Sequence, residues 1–104
     1  LLVLCLLQEA DCYGYQLTQL ISQRSGGLIE VPEGSLYPSL YRLIDKGFIS
    51  DEKRLVGKRM TRVYYHLEPA GKEYYDQLLK DYLEVHQGIQ SVLFYHEDHD
   101  STEK

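Results

Sequence analysis

The run Glu33-Gly-Ser-Leu-Tyr-Pro-Ser-Leu-Tyr-Arg-Leu-Ile-Asp-Lys-Gly-Phe48 decides the fold of this chain. Its apolar residues recur at steps of three and four, so they share one face of a helix; they are Leu36, Leu40, Leu43 and Ile44. The opposite face carries hydroxyl, aromatic and cationic groups, and Gly47 is placed to end the helix. Such a helix fits the major groove of DNA, although an ordinary amphipathic helix with a solvated face has the same pattern.

The pattern changes from helical to alternating after this helix. Val63, Tyr65 and Leu67 alternate with more polar neighbours, which is the period-two signature of a half-buried strand. A partner strand is predicted around Ile49 to Val56, and the connecting turn, Val56-Gly-Lys-Arg-Met60, carries two adjacent cations. A helix followed by a β-hairpin with a basic tip is the order of a winged helix-turn-helix.

The charge distribution agrees with a nucleic-acid partner, although the 104-residue chain as a whole has a formal net charge of -5. From Arg42 to Arg62 there are seven basic and three acidic residues, a net charge of +4. Residues 1–41 carry a net charge of -3, and residues 63–104 carry -6. Phosphate attraction depends on the nearby field more than on the total charge, so a positive stripe on an acidic body favours DNA binding.

Several short motifs together resemble the PadR-like family of winged-helix transcriptional regulators. They are Tyr13-Gly-Tyr-Gln-Leu17, Gly34-Ser-Leu-Tyr-Pro-Ser-Leu-Tyr-Arg-Leu43, Lys46-Gly-Phe-Ile49, Tyr64-Tyr-His-Leu67 and Gly71. The similarity covers most of residues 1–95. It implies a winged-helix DNA-binding domain with a C-terminal dimerisation helix, usually in a repressor. In that family the Leu-Tyr-Pro helix docks in the major groove, and the basic hairpin contacts the DNA backbone.

The candidate DNA-binding residues lie on the predicted recognition helix and on the hairpin. They are Ser35, Tyr37, Pro38, Tyr41, Arg42, Lys46, Lys58, Arg59 and Arg62. Ser35 is expected to cap the helix, and Arg42 is the best candidate for bidentate base reading, although it suits a phosphate as well. Lys46, Lys58 and Arg59 are expected to bind phosphates. Tyr37 borders the apolar stripe, so a place in the core is nearly as consistent with the pattern.

The C-terminal helix is predicted to form a homodimer. Its apolar residues step by three and four over about three heptads, as in a coiled coil; they are Tyr75, Leu78, Tyr82, Val85, Ile89 and Val92. Leu79, Leu83 and Leu93 widen this stripe beyond what one helix of a small domain needs to bury. The alternative is that the helix packs only on its own domain.

The predicted fold class is therefore α+β, mainly α: a winged helix-turn-helix with a two-stranded hairpin wing and a long C-terminal helix. Residues 1–67 form the DNA-binding domain, residues 68–97 form the dimerisation helix, and residues 98–104 form a charged flexible tail. Glu68 stands where the family often has threonine as the cap of the last helix, and Pro69 follows it at a position suited to helix starts.

The sequence predicts no enzyme, cofactor or metal site. Cys5 and Cys12 have no second pair nearby, and the run His96-Glu-Asp-His-Asp100 belongs to a charged terminal segment. No phosphate loop or nucleophile motif is present. The opening apolar run is too short to span a bilayer and lacks a basic leader, so the expected location is cytoplasmic with no membrane partner.

The expected partners are double-stranded DNA and a second copy of the chain. The family resemblance adds a small aromatic effector as a candidate ligand that controls release of DNA. A rival reading from another class is a winged-helix module that binds protein and not DNA. Such modules usually lose the basic hairpin tip, which this chain retains.

Overall fold

The structure, a computed structural model, describes residues 1–96. Its elements in chain order are α1 (Leu2–Glu9), β1 (Cys12–Tyr13), α2 (Gly14–Arg24), α3 (Glu33–Asp45), β2 (Ile49–Val56), β3 (Met60–Leu67) and α4 (Pro69–Leu93). The helix-turn-helix is formed by α2 and α3, and the hairpin β2–β3 is the wing. The winged helix-turn-helix predicted from the sequence is confirmed. The tail predicted for residues 98–104 lies outside the described residues.

The sheet has three antiparallel strands in the order β1-β3-β2, so the predicted two-stranded wing, β2–β3, is extended by a third strand that the sequence did not reveal. The wing strands pair from Ile49 with Leu67 to Val56 with Met60. The missed strand, β1, pairs Cys12 with Tyr65 and Tyr13 with Tyr64. Two residues are too few to produce an alternating pattern, so periodicity cannot reveal such a strand.

Helix α3 starts at Glu33, two residues before Ser35, the residue expected to cap it. Its N-cap is Pro32, and Ser35 lies inside the first turn, with its backbone N–H bonded to the Pro32 carbonyl at 3.0 Å. The prediction that Ser35 caps this helix was therefore wrong. The other end behaves as expected: Gly47 has φ +77°, and its N–H bonds to Ile44 O at 2.9 Å, while the Phe48 N–H bonds to Leu43 O at 3.0 Å. This left-handed glycine satisfies the last carbonyls of the helix.

One hydrophobic core joins the first three helices, the sheet and the beginning of α4. Its buried residues are Leu4, Leu6, Leu7, Cys12, Leu17, Ile21, Leu36, Leu40, Ile49, Tyr65 and Tyr75. Leu36 and Leu40 anchor the apolar face of α3 in this core, which fixes the opposite face toward solvent. The core therefore sets the direction in which the candidate recognition helix presents its polar residues.

Helix α4 docks through its first turns. Glu68 is its N-cap and Pro69 occupies the first turn, as the sequence indicated. The ring of Tyr74 stacks on Phe48, with ring centroids 4.3 Å apart and an interplanar angle of 13°. Gly71 is buried against the backbone carbonyl of Phe48, where no side chain fits. The helix ends at Leu93, earlier than the predicted boundary at residue 97.

Candidate nucleic-acid interface

The solvent-facing side of α3 presents most of the predicted contact residues together. Ser35, Pro38, Tyr41, Arg42 and Lys46 are all exposed. Proline inside the helix removes one backbone donor, so one carbonyl in the preceding turn is left to accept a bond from outside the helix. The guanidinium of Arg42 donates to the Ser39 hydroxyl at 3.1 Å, a weak restraint that leaves its other donors available.

Tyr37 differs from these residues, because it is half-buried and packs against the core. Its hydroxyl lies so close to Gly14 that a side chain at that position would collide with it. Burial raises the pKa of Tyr37, with a smaller contribution from the charge of Glu33. Its ring lies 6.3 Å from that of Tyr41, measured between centroids. These contacts favour a supporting position behind Tyr41 over a direct contact with DNA.

The wing carries its cations at two distinct places. Lys58 and Arg59 are exposed in the turn after Gly57, whose φ of +73° permits the tight reversal. Arg62 lies further down β3, with its guanidinium 4.2 Å from the centre of the Tyr13 ring. The tip residues can therefore reach outward, whereas Arg62 is held beside the body of the domain.

Arg54 is the cross-strand partner of Arg62, but its positive charge is already paired with two carboxylates. Its guanidinium binds Asp11 at 2.5 Å and Glu52 at 3.1 Å, and it lies 4.6 Å from the centre of the Tyr64 ring. The positive stripe inferred from the sequence is correspondingly reduced at this position. Asp11 also bonds to the Nδ1 atom of His66 at 2.8 Å.

Asp11 thus links the corner between α1 and β1 to both strands of the wing. Sequence reasoning missed it, because its partners are 43 and 55 residues away and the intervening strand β1 was not foreseen. The bond to His66, and then the bond to Arg54, lower the pKa of Asp11. The same bond to Asp11 raises the pKa of His66.

The pH dependence of the contact between Asp11 and His66 follows from the directions in which their pKa values are shifted. A raised histidine pKa gives stabilisation that is fully present below the ordinary pKa of about 6.5 and is lost as pH rises through the folded value. The lowered pKa of Asp11 gives stabilisation that is lost only as pH falls through that value. The ion pair between His66 and Asp11 is therefore complete in the acidic window between the two pKa values.

We expect Asp11→Asn to lower the pKa of His66, measured by NMR titration of its ring protons; an unchanged titration curve would contradict the contact.

A family model matches the residues from α1 to the start of α4, which include the candidate interface. The model of the transcriptional regulator PadR-like family matches residues 3–77. The chain belongs to the PadR-like family. This PadR-like chain is 31% identical over 87 residues to the negative transcriptional regulator PadR of Bacillus subtilis, covering 84% of the chain and 46% of that protein.

Solved structures of PadR-like and related regulators share the fold. A transcriptional regulator from Clostridium thermocellum superposes with a TM-score of 0.80 at 29% identity, over 91% of this chain and 90% of that one. The B. subtilis PadR in complex with operator DNA superposes with a TM-score of 0.67 at 27% identity, over 74% of this chain and 44% of that one. The chain thus spans less than half of B. subtilis PadR.

The family match ends at residue 77, within α4, and the later turns of this helix carry exposed apolar side chains among polar ones in the PadR-like chain. Tyr82, Val85, Ile89 and Val92 have relative exposures of 50%, 60%, 52% and 79%. Tyr75 and Leu78, placed by the sequence in the same seam, instead pack on the protomer's own core. The first residues of the heptad pattern therefore pack α4 against the core of its own domain, whereas the later residues are exposed to solvent.

An apolar groove lies beside the exposed part of α4. It is lined by Leu1, Leu2, Cys5, Ile29, Tyr75, Leu79 and Tyr82.

Within residues 1–96 no group of histidine, cysteine and acidic side chains is arranged to hold a metal ion. The described helices also include none that is long and apolar enough to cross a membrane.

Proposed function

We propose that this chain is a DNA-binding transcriptional repressor that reads a palindromic operator as a homodimer. The observation that carries the proposal is the exposed face of α3. Its hydroxyl, aromatic and cationic side chains stand on a helix that Leu36 and Leu40 anchor in the core. A helix presented in this way can enter the major groove and place Arg42 against base edges.

The wing supports the same proposal, because Lys58 and Arg59 are exposed at its tip and no acidic side chain among residues 1–96 forms a salt bridge with them. Cations at the end of a hairpin next to a recognition helix are suited to DNA phosphates. The B. subtilis PadR, which is similar in sequence and fold, is named as a negative regulator and has been solved with operator DNA. Repression at an operator is the function that this likeness favours.

The homodimer is supported by the exposed apolar surface of α4. Tyr82, Leu83, Val85 and Ile89 are each at least half exposed in the isolated chain, an unfavourable arrangement unless another surface covers them. Two copies related by a two-fold axis would present two α3 helices. Such a pair fits a palindrome whose half-sites lie about 34 Å apart. Release by a small aromatic effector stays a prediction from the family resemblance.

The proposal is tested by selecting bound duplexes from a random pool and measuring their affinity at several salt concentrations. A repressor of this kind selects an inverted repeat, and the logarithm of its affinity falls linearly with the logarithm of salt concentration. Selection of no sequence, with no binding at low salt, would favour the protein-interaction module. A fusion reporter carrying the selected site upstream of its promoter then measures repression directly.

Arg42 and Lys58 are expected to act in different ways on DNA. Arg42→Ala should cost about 1–3 kcal/mol of discrimination at one base pair of each half-site, because bidentate base reading is lost. Lys58→Gln should weaken binding to selected and unrelated duplexes by the same factor, because a phosphate contact carries no sequence information. The check is fluorescence anisotropy with the selected duplex and with single-base variants. Equal losses on all duplexes for Arg42→Ala would assign that residue to a phosphate.

A further inference from the structure

A cleft lined largely by tyrosines lies between the start of α2, the edge of α3 and strand β3. Its lining residues are Tyr13, Gly14, Tyr15, Tyr37, Tyr41, Arg62, Val63 and Tyr65. It opens between the recognition helix and the wing, the two elements assigned to DNA under the proposed function. Arg62 is the only ionised side chain in the lining, so the cleft favours an anion.

Arg62 differs from Arg54 in the way its charge is used. Both guanidinium groups lie over tyrosine rings, Arg62 over Tyr13 at 4.2 Å and Arg54 over Tyr64 at 4.6 Å. Arg54 is bound by two carboxylates, whereas no acidic side chain among residues 1–96 lies within salt-bridge distance of Arg62. Of this matched pair, Arg62 therefore keeps its charge for an external partner.

The tyrosine rings fix where that charge is presented. The rings of Tyr13 and Tyr64 form a T-shaped pair, with centroids 5.5 Å apart and an interplanar angle of 73°, and the backbone of Tyr13 is paired with β3. A ring held by a neighbouring ring and by its backbone is a rigid platform for the planar guanidinium of Arg62. The ring of Tyr13 thus holds the guanidinium of Arg62 beside the cleft.

Hydroxyl donors complete the site. Tyr15 and Tyr41 are 54% and 56% exposed, so their phenol groups are accessible at the rim. Tyr65 is only 3% exposed and belongs to the core, and burial raises its pKa to about 12. Arginine and tyrosine are both common phosphate ligands on DNA-binding surfaces.

We propose that this cleft seats one backbone phosphate of the DNA duplex, with Arg62 as its cationic partner and Tyr13 as the residue that positions Arg62. This inference rests on the proposed function, because it names a contact within the same DNA complex. It adds Tyr13 and Tyr15 to the interface, neither of which was expected from the sequence.

The test compares salt dependence across two matched pairs of variants. Each lost phosphate contact flattens the slope of log affinity against log salt by about 0.9, so Arg62→Gln in both subunits of a dimer should flatten it by about two units. Arg54→Gln, which removes an arginine already bound by carboxylates, should leave the slope unchanged. Circular dichroism melting of each variant checks that the fold persists.

The positioning role has a separate readout. Tyr13→Leu should weaken binding about two- to five-fold with the slope retained, because the cation is still present but is no longer held by a ring. Tyr13→Phe, which keeps the ring, is the matched control and should bind as the parent chain does. Equal losses for Tyr13→Leu and Tyr13→Phe would overturn the positioning role.

Single methylphosphonate substitutions in the selected duplex then locate the contact. One position in each half-site should cost affinity with the parent chain and cost nothing with Arg62→Gln. An unchanged slope for Arg62→Gln, in a chain that binds DNA with ordinary salt dependence, overturns the cleft assignment alone. Absence of salt-dependent binding by the parent chain overturns the proposed function and the cleft together.

Discussion

Tyr82→Asp is expected to dissociate the proposed homodimer and to remove most of its affinity for a palindromic site. Tyr82 lies half exposed in the middle of α4 and lines the apolar groove with Leu79 and Leu1. An unpaired carboxylate buried in an interface costs several kcal/mol, and two-fold symmetry introduces two of them. The dissociation constant of the dimer should therefore rise at least ~100-fold, measured by sedimentation at several protein concentrations.

Operator binding should fall with dimerisation, because the second half-site is then no longer bound within one complex. The matched control is Gln87→Asp, which places the same charge on α4 about half a helical turn from the seam. That variant should sediment and bind DNA as the parent chain does. A Tyr82→Asp protein that remains dimeric and binds the operator normally would show that the seam is wrongly assigned.

The helices and the wing were predictable because each has a periodic pattern long enough to recognise. The leucines of α3 repeat at helical steps, and the sequence of β3 alternates from Arg62 to Leu67. The bounds predicted for β2, Ile49 to Val56, agree with the structure. Local propensity and tertiary packing favour the same conformation in these segments, so the sequence is sufficient there.

The side-chain contacts on the sheet were not predictable, because they join residues that no local sequence pattern connects. The bonds from Asp11 to Arg54 and His66 join residues far apart in the chain, and the stacking of Arg62 on Tyr13 requires the short strand β1. No periodic pattern encodes such contacts. They depend on the register of β3 against β1, which is fixed only when the whole domain is assembled.

The seam of α4 shows what a heptad pattern leaves open. Tyr75 and Ile89 occupy equivalent positions of the same repeat, yet the first is 9% exposed and the second is 52% exposed. The repeat identifies a face of the helix but not the surface that covers it. In this chain the covering surface changes along α4, from the protomer's own core to solvent, and only coordinates reveal where the change occurs.

Gly71→Ala is expected to produce a large loss of stability, because α4 packs there directly against the backbone of Phe48. A methyl group at this position would overlap the carbonyl oxygen of Phe48, which also accepts a bond from the Glu68 N–H at 3.0 Å. Because the obstructing atom belongs to the backbone, relief requires movement of the whole helix. We expect a loss of about 3 kcal/mol and a fall in melting temperature of roughly 12–24 °C, measured by circular dichroism.

Gly88→Ala is the matched control, since it is the same substitution in the same helix, and no atom beyond the neighbouring helix backbone lies within 4 Å of the added carbon. It should raise stability by up to about 1 kcal/mol, because alanine is the better helix former. A Gly71→Ala protein that melts with the parent chain would contradict the close packing of α4 on Phe48. That packing matters for DNA binding as well as stability. In the proposed homodimer α4 would join each α3 helix to the two-fold axis, so a displaced α4 should change the separation of the two recognition helices. The affinity of Gly71→Ala for a palindromic site should then fall even where the domain remains folded.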